Sequence, residues 1–248
     1  MRQNVGMGKK VFVVMPAYNA AKTLRSVYQK IPKGIVDKVL LIDDGSKDAT
    51  VSIARKLGIE TIVHEKNLGY GGNQKTCYAY ALKQGASFVI MLHPDGQYEG
   101  SDLPSFVHAL KRGESDLVLG SRFLGKYHGT PFYKSISIRF ITFLFNLVLQ
   151  TKLTEANTGY RGFTRKFLET VPFQKNGNGY IFDPQVIIQA VYFGFRISEV
   201  SVTKDYLKEA SSPNFYQSVR HGIENLQLLL QYLLHIAHIK KASFLLQR

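Results

Sequence analysis

The sequence predicts an α/β protein: a mostly parallel sheet flanked by helices, with amphipathic helices at the C-terminus. Three observations carry this. Five apolar strand-like runs alternate with helical patterns through the first half of the chain. The runs are near-continuous in apolar residues, as strands of a sheet covered on both faces are. Beyond residue 131 the alternation gives way to long helical repeats with wide apolar faces.

In order, residues 10–16 (KVFVVMP) read as a first strand and 20–31 (AAKTLRSVYQKI) as a helix. Residues 36–46 (VDKVLLIDDGS) form the next strand and 49–58 (ATVSIARKLG) its helix. A third strand, 59–65 (IETIVHE), precedes a helix over 71–85, and a fourth, 87–95 (SFVIMLHPD), precedes a helix over 101–113. The fifth strand is 115–122 (SDLVLGSR). Residues 133–153 then form an apolar helix with a polar stripe of Ser135, Arg139, Thr142, Asn146 and Gln150. After a further helix and strand, 218–248 is helical. Val219, Ile223, Leu226, Leu230, Leu233 and Ala237 share one face; Glu224, Gln227, Gln231, His235 and His238 lie mostly opposite. His235 and His238 have metal-ligand spacing but no third ligand, so a solvated or interfacial face is the better reading. Lys240 and Lys241 close the helix, where they suit its dipole and anionic headgroups.

The chain has 248 residues and 32 Lys and Arg against 18 Asp and Glu, a net charge of +14. That surplus points to an anionic partner: nucleic acid, a phosphorylated substrate or an anionic membrane surface. The charge is spread and forms no basic arm, which argues against nucleic acid. The lone Cys77 excludes an intramolecular disulfide, suits a reducing compartment and, within a helical stretch, reads as a buried structural thiol. The N-terminus does not read as a signal peptide, and no apolar run reaches the roughly 18 residues of a membrane span.

In parallel sheets ligands bind beyond the carboxyl ends of the strands. The residues there are Pro16, Ala17, Tyr18 and Asn19; Asp43, Asp44, Gly45 and Ser46; Lys66, Asn67 and Gly69; His93, Asp95 and Gln97; and Ser121 and Arg122. Each loop alone could be turn chemistry, DDGS being a turn plus helix cap. Five polar loops at one edge favour a ligand site. GYGGNQ lacks the third glycine of a dinucleotide fingerprint, and no phosphate-binding G-x-x-x-x-G-K-[ST] loop occurs.

The ordered set VVMPAYNAAKTL, LLIDDGSKDAT, NLGYGGNQKT, HPDGQY, GSR and NTGYRGF resembles the family 2 glycosyltransferases of GT-A fold, and within them the dolichyl- or polyprenyl-phosphate sugar synthases, over roughly residues 10–215. The resemblance implies a GT-A (Rossmann-like) glycosyltransferase domain over 1–215, followed by an amphipathic segment over 216–248. It implies that Pro16, Tyr18, Asn19, Asn67 and Gly69 line the nucleotide pocket, and that Asp43 or Asp44 binds base or ribose. Asp95 is then the surviving acid of the metal motif and Gln97 a further ligand, for Mg²⁺ or Mn²⁺. His93 stands where the family carries aspartate. Alternate positions on an extended chain could aim 93, 95 and 97 at one ion, with His93 favouring Mn²⁺. The alternatives are an ion held by Asp95 and Gln97 with waters, little need for a metal, or a His93 simply hydrogen-bonded at a strand end. The acidic residue that usually follows the Tyr-Asn pair is replaced by Ala20. Arg122 is expected to face a phosphate, with Arg139 beside it to clamp a lipid phosphate, and Thr158–Phe163 to build the acceptor side.

The implied reaction is inverting transfer of a sugar from a nucleoside diphosphate sugar to a polyprenyl phosphate, by a cytoplasmic enzyme peripheral on the membrane, serving cell-envelope glycan synthesis; a homo-oligomer is left open. A phosphate acceptor is already anionic and needs no strong base, whereas a hydroxyl acceptor would need Glu155 or Asp183. The alternatives are a soluble glycosyltransferase acting on a glycan or small molecule and a non-catalytic nucleotide-sugar-binding protein.

Overall fold

The computed structural model describes residues 8–124, 132–203 and 215–246. Strands β1 (Val11–Ala17), β2 (Lys38–Asp43), β3 (Glu60–Val63), β4 (Phe88–Met91), β5 (Leu117–Ser121), β6 (Arg161–Thr164) and β7 (Ile197–Ser201) form one sheet in the order β3-β2-β1-β4-β6-β5-β7. The helices are α1 (Leu24–Gln29), α2 (Thr50–Lys56), α3 (Tyr70–Lys83), α4 (Leu103–Lys111), α5 (Phe132–Leu149), α6 (Arg165–Thr170), α7 (Phe182–Tyr192) and α8 (Phe215–Ile236).

β1 pairs in parallel with β2 and β4, β2 with β3, and β5 with β7; β6 alone runs antiparallel, between β4 and β5. The five strands read from the sequence are β1 to β5. β6 escaped that reading because it is four residues long and interrupted by Gly162. The glycine has a reason: a Cβ there would stand 3.0 Å from Leu110 and 3.3 Å from Phe106 of α4.

Alternate strand residues feed two core layers. Val11, Val13 and Met15 of β1 pack with α1, α2 and α4, while Phe12 and Val14 pack with α3 and α5 to α8. Cys77 lies fully buried in the second layer, and burial pushes its thiol well above the ordinary range, so it is the structural thiol expected.

Two boundaries differ from the sequence expectation, and both matter for the site. β4 ends at Met91, not Asp95. Pro94 has no N–H for a ladder, and Gly96, at φ 78°, turns the chain. His93, Asp95 and Gln97 therefore lie on a turn, so strand alternation does not aim them at a common point. Likewise α8 stops at Ile236 rather than running to the terminus. His238 adopts φ 58°, and the chain folds back so that Ala242, Phe244 and Leu245 enter the core layer that also buries Leu228, Leu229 and Tyr232 of α8. Lys240 and Lys241 thus lie beyond the helix, in this reversal. His235 is engaged at both nitrogens, with the Tyr192 hydroxyl at 3.1 Å and the Ala242 N–H at 3.2 Å, which braces the fold-back.

The start of α3 clamps the 176–179 segment. Gly71 N–H donates to the Asn178 carbonyl at 2.7 Å, and a Cβ on Gly71 would collide with the Gly177 carbonyl and come within 2.7 Å of Phe182 Cβ. Gly71→Ala is expected to cost about 1–3 kcal/mol by overpacking and to lower the thermal midpoint by several degrees. Gly179→Ala, with nothing within 4 Å, should leave it nearly unchanged. Equal midpoints in differential scanning calorimetry would contradict the clamp.

Candidate active site

The loops at the carboxyl edge are tied to one another largely by carboxylates. After β1, Asn19 adopts φ 52°, its N–H donates to Ser46 Oγ at 2.8 Å, and its Oδ1 accepts from Lys47 N–H at 2.9 Å. Ala20 N–H donates to Thr50 Oγ1 at 2.7 Å and Ala21 N–H to Asp48 Oδ2 at 3.0 Å. The position that the family makes acidic is thus part of a zipper between the β1 and β2 loops. Pro16 is buried at the end of β1, and Tyr18 is exposed beside it.

The two aspartates after β2 separate into different roles. Asp44 is buried and fully engaged: it accepts from Leu68 N–H at 2.8 Å, Gly69 N–H at 3.0 Å and His64 Nδ1 at 2.8 Å. It holds the loop carrying Asn67 and Gly69, whereas the local turn bonds of DDGS are made by Asp43. Asp43 accepts at Oδ2 from Gly45 N–H (3.1 Å) and Ser46 N–H (2.8 Å), but its buried Oδ1 has no hydrogen-bond partner among the described residues. Asn67 Oδ1 accepts from Gly69 N–H at 2.9 Å.

Beyond β4, Asp95 Oδ1 accepts from Gln97 N–H at 3.0 Å. Oδ2 takes no bond from the described residues, and the side chain is half-buried, so this carboxylate oxygen faces the edge uncommitted. Gln97 is buried. His93 stacks on Tyr70, ring centroids 5.3 Å apart, and its Nε2 lies 3.2 Å from the Tyr70 hydroxyl. Tyr70 donates its one proton to Asp183 Oδ2 at 2.7 Å, so Nε2 must carry the hydrogen of the His93 bond. That nitrogen is not open to a cation while the bond persists. Gly159 makes the close approach workable, since a Cβ there would stand 3.2 Å from the His93 ring.

Behind His93 lies a buried network that sequence reading missed. Asp183 pairs with Arg161 Nη1 at 2.9 Å and accepts from Gln74 Nε2 at 3.1 Å. Arg161 is fully buried, and its Nε and Nη2 have no partner among the described residues. Burial, reinforced by Asp183, pushes the Tyr70 phenol well above its ordinary range. Tyr180 sits 4.8 Å from Tyr70 and is raised by burial, then by Asp95 and Asp183 nearby. α8 adds His221, edge-on to Tyr180 at 6.3 Å and lowered by burial. A charge inside the apolar GYRGF run was the one signal of this network in the sequence. Thr158, Tyr160, Arg161 and Phe163 are all buried, so most of the stretch expected on the acceptor side is packing instead.

Arg122 also differs from expectation. Buried at 3% exposure, it meets a fully buried Glu155: Nε lies 2.8 and 2.9 Å from the two carboxylate oxygens, Nη2 forms a further contact, and its N–H donates to Oε2 at 3.0 Å. Its guanidinium braces a loop rather than facing outward to a phosphate. Arg139 is exposed and stacks on Phe123 at 4.4 Å, with Arg122 6.0 Å from the same ring, so the two arginines do share a neighbourhood. Among the described residues Arg139 makes no ion pair. A cleft of about 590 Å³ is lined by residues 149–153, the end of α7 and the loop after it, and the first half of β7.

A family model described as "Glycosyl transferase family 2" matches residues 12–171. The chain is 25% identical over 217 residues to a UDP-N-acetylglucosamine–dolichyl-phosphate N-acetylglucosaminyltransferase of Methanococcus voltae, covering 80% of this chain and 86% of that protein. It is 23% identical over 205 residues to a polyprenol monophosphomannose synthase of Mycolicibacterium smegmatis, covering 79% of this chain and 77% of that one. Among solved structures, a glucosyl-3-phosphoglycerate synthase of Mycobacterium tuberculosis with Mn²⁺, UDP-glucose and phosphoglyceric acid superposes with a TM-score of 0.70 at 21% identity, over 95% of this chain and 82% of that one. That likeness establishes the GT-A fold.

Removing one member of a buried ion pair leaves an uncompensated charge. Glu155→Ala is therefore expected to destabilise the protein by about 3–5 kcal/mol in urea denaturation. Unchanged stability would mean that Arg122 is free to serve a ligand after all.

Proposed function

The chain belongs to glycosyl transferase family 2, and we propose that it moves one sugar from a nucleoside diphosphate sugar to a polyprenyl phosphate. One observation supports this reading: among the described residues, the two carboxylates that would serve as the base for a hydroxyl acceptor, Glu155 and Asp183, are already committed. Glu155 is closed on Arg122, and Asp183 is held by Arg161, Tyr70 and Gln74. A hydroxyl acceptor would have to lose a proton to such a base. A phosphate monoester brings its own negative oxygen and needs none. The named functions of the two lipid-phosphate relatives support the same acceptor class.

On the donor side, Asp43 Oδ1 is an acceptor lacking a donor, which an N–H of the base or a ribose hydroxyl would supply. Tyr18 and Asn19 flank the same loop. A divalent cation suits the open Asp95 oxygen. Among the described residues no three His, Cys, Asp or Glu converge to hold a metal, so the diphosphate and water would complete its coordination, as Mg²⁺ and Mn²⁺ allow. When bound, such an ion neutralises the charge that grows on the leaving diphosphate.

The acceptor phosphate oxygen forms the new bond to the anomeric carbon as the bond to the donor diphosphate breaks, on opposite faces, so the centre inverts and no proton moves. The protein contributes alignment and electrostatics. Arg139, exposed and set over the Phe123 ring at 4.4 Å, offers the phosphate a bidentate fork.

The test is transfer to a short-chain, water-soluble prenyl phosphate from a panel of nucleoside diphosphate sugars, read by mass spectrometry. Asp95→Ala is expected to lower kcat/KM by roughly a hundredfold or more with the fold intact. Arg139→Ala should raise the acceptor KM about tenfold to a hundredfold while donor affinity holds. Wild-type rates in Asp95→Ala would overturn the donor assignment, and transfer to hydroxyl acceptors alone would overturn the acceptor.

A further inference from the structure

Among the described residues no helix is long and apolar enough to cross a membrane. Yet α5 and α8, which pack against each other, each carry a second apolar face that no described residue covers. On α5 this face is Ile136, Phe140, Phe143 and Leu147; on α8 it is Ile223, Leu226, Leu230 and Leu233, all more than 40% exposed. Both helices turn their other face, Ile141 and Phe145 on one and Leu228 and Leu229 on the other, into the same core layer. The outer stripes therefore lie on one side of the molecule. A contiguous apolar surface of this kind marks an interaction site.

The charge around it selects the occupant. α5 contains no acidic residue, and the one acid of α8, Glu224, is held by Arg220 at 3.0 Å. Arg139 stands on α5, and the exposed Lys240 and Lys241 lie just past the end of α8. An apolar stripe edged by cations, on a chain of net charge +14, fits an anionic lipid surface. A second copy of the chain would bring a like-charged edge against this one.

The surface also connects with the site. His221 of α8 packs on Tyr180, Tyr180 on Tyr70, and Tyr70 on His93. We propose that the outer faces of α5 and α8 form a docking surface for an anionic bilayer, seated so that a lipid phosphate reaches the site from the membrane plane. The purpose of this surface rests on the lipid-acceptor reading above; its existence does not.

The experiment is co-sedimentation of the full chain with phosphatidylcholine vesicles, with and without anionic phosphatidylglycerol. Binding is expected to the anionic vesicles and to weaken with salt. Phe143→Glu and Leu230→Glu should each lower the partition coefficient about tenfold or more, and Lys240→Ala roughly fivefold. The chain has no tryptophan, so Phe143→Trp gives a unique reporter. Its emission should shift to the blue on anionic vesicles, while that of Val63→Trp, on the exposed β3, should not. Absence of binding, equal binding to neutral vesicles, or no shift for the residue-143 reporter would overturn the surface. So would a solution dimer that ignores vesicles and dissociates in Leu230→Glu. Transfer to soluble prenyl phosphate without vesicle binding removes only the docking surface; vesicle binding without transfer removes only the acceptor reading.

Discussion

The loops at the carboxyl edge of the sheet have no ladder to satisfy their backbone N–H groups, and carboxylates fold back to do so. Asp44 takes up Leu68 and Gly69, Asp43 takes up Gly45 and Ser46, and Glu199 takes up Thr154 and Glu155. Glu155 and Asp183 are closed on buried arginines. The geometry of the edge depends on this bracing, and so does its chemistry, because a carboxylate holding a loop is unavailable as a base or ligand. Of the buried and half-buried acids described at this edge, Asp95 and Asp43 each keep one oxygen without a hydrogen bond. Such open oxygens, rather than the abundance of acids, limit what the edge can bind.

The repeated strand–helix pattern was readable because β1, β4 and β5 are buried throughout and the helices must cover them. The succession of β1 to β5 and the parallel pairing of β1 to β4 follow from that. β6 was not readable, since a four-residue strand holding a buried arginine and a glycine has no periodicity to detect. Strand ends were the weakest point. Apolar character continues past Met91 through Leu92, but Pro94 and Gly96 end the ladder, and with it the premise that 93, 95 and 97 share a direction. The α8 terminus was overread for a similar reason, because the apolar pattern continues into residues that fold back on the core.

The residues picked out by the motifs do fall at the carboxyl edge of the sheet, but their partners there are not those the sequence suggests. Whether Asp43 or Asp44 stays open, or whether Arg122 faces out, depends on partners far along the chain: Leu68, His64 and Glu155. Conversely, Arg161, Tyr70, Tyr180 and His221 come together only through the packing of β6, α3, α7 and α8. That packing also explains His93. At this position stands a ring held by stacking and a hydrogen bond to Tyr70, joined through it to Asp183.

On the proposed reading, the open oxygen of Asp95 completes a cation site only together with a nucleoside diphosphate. Paramagnetic resonance of Mn²⁺ titrated into the protein, with and without the diphosphate, tests this directly. Tight Mn²⁺ binding is expected only when the nucleotide is present, weakened by more than about tenfold in Asp95→Asn. Mn²⁺ held equally well by Asp95→Asn, or by the wild type without nucleotide, would contradict it.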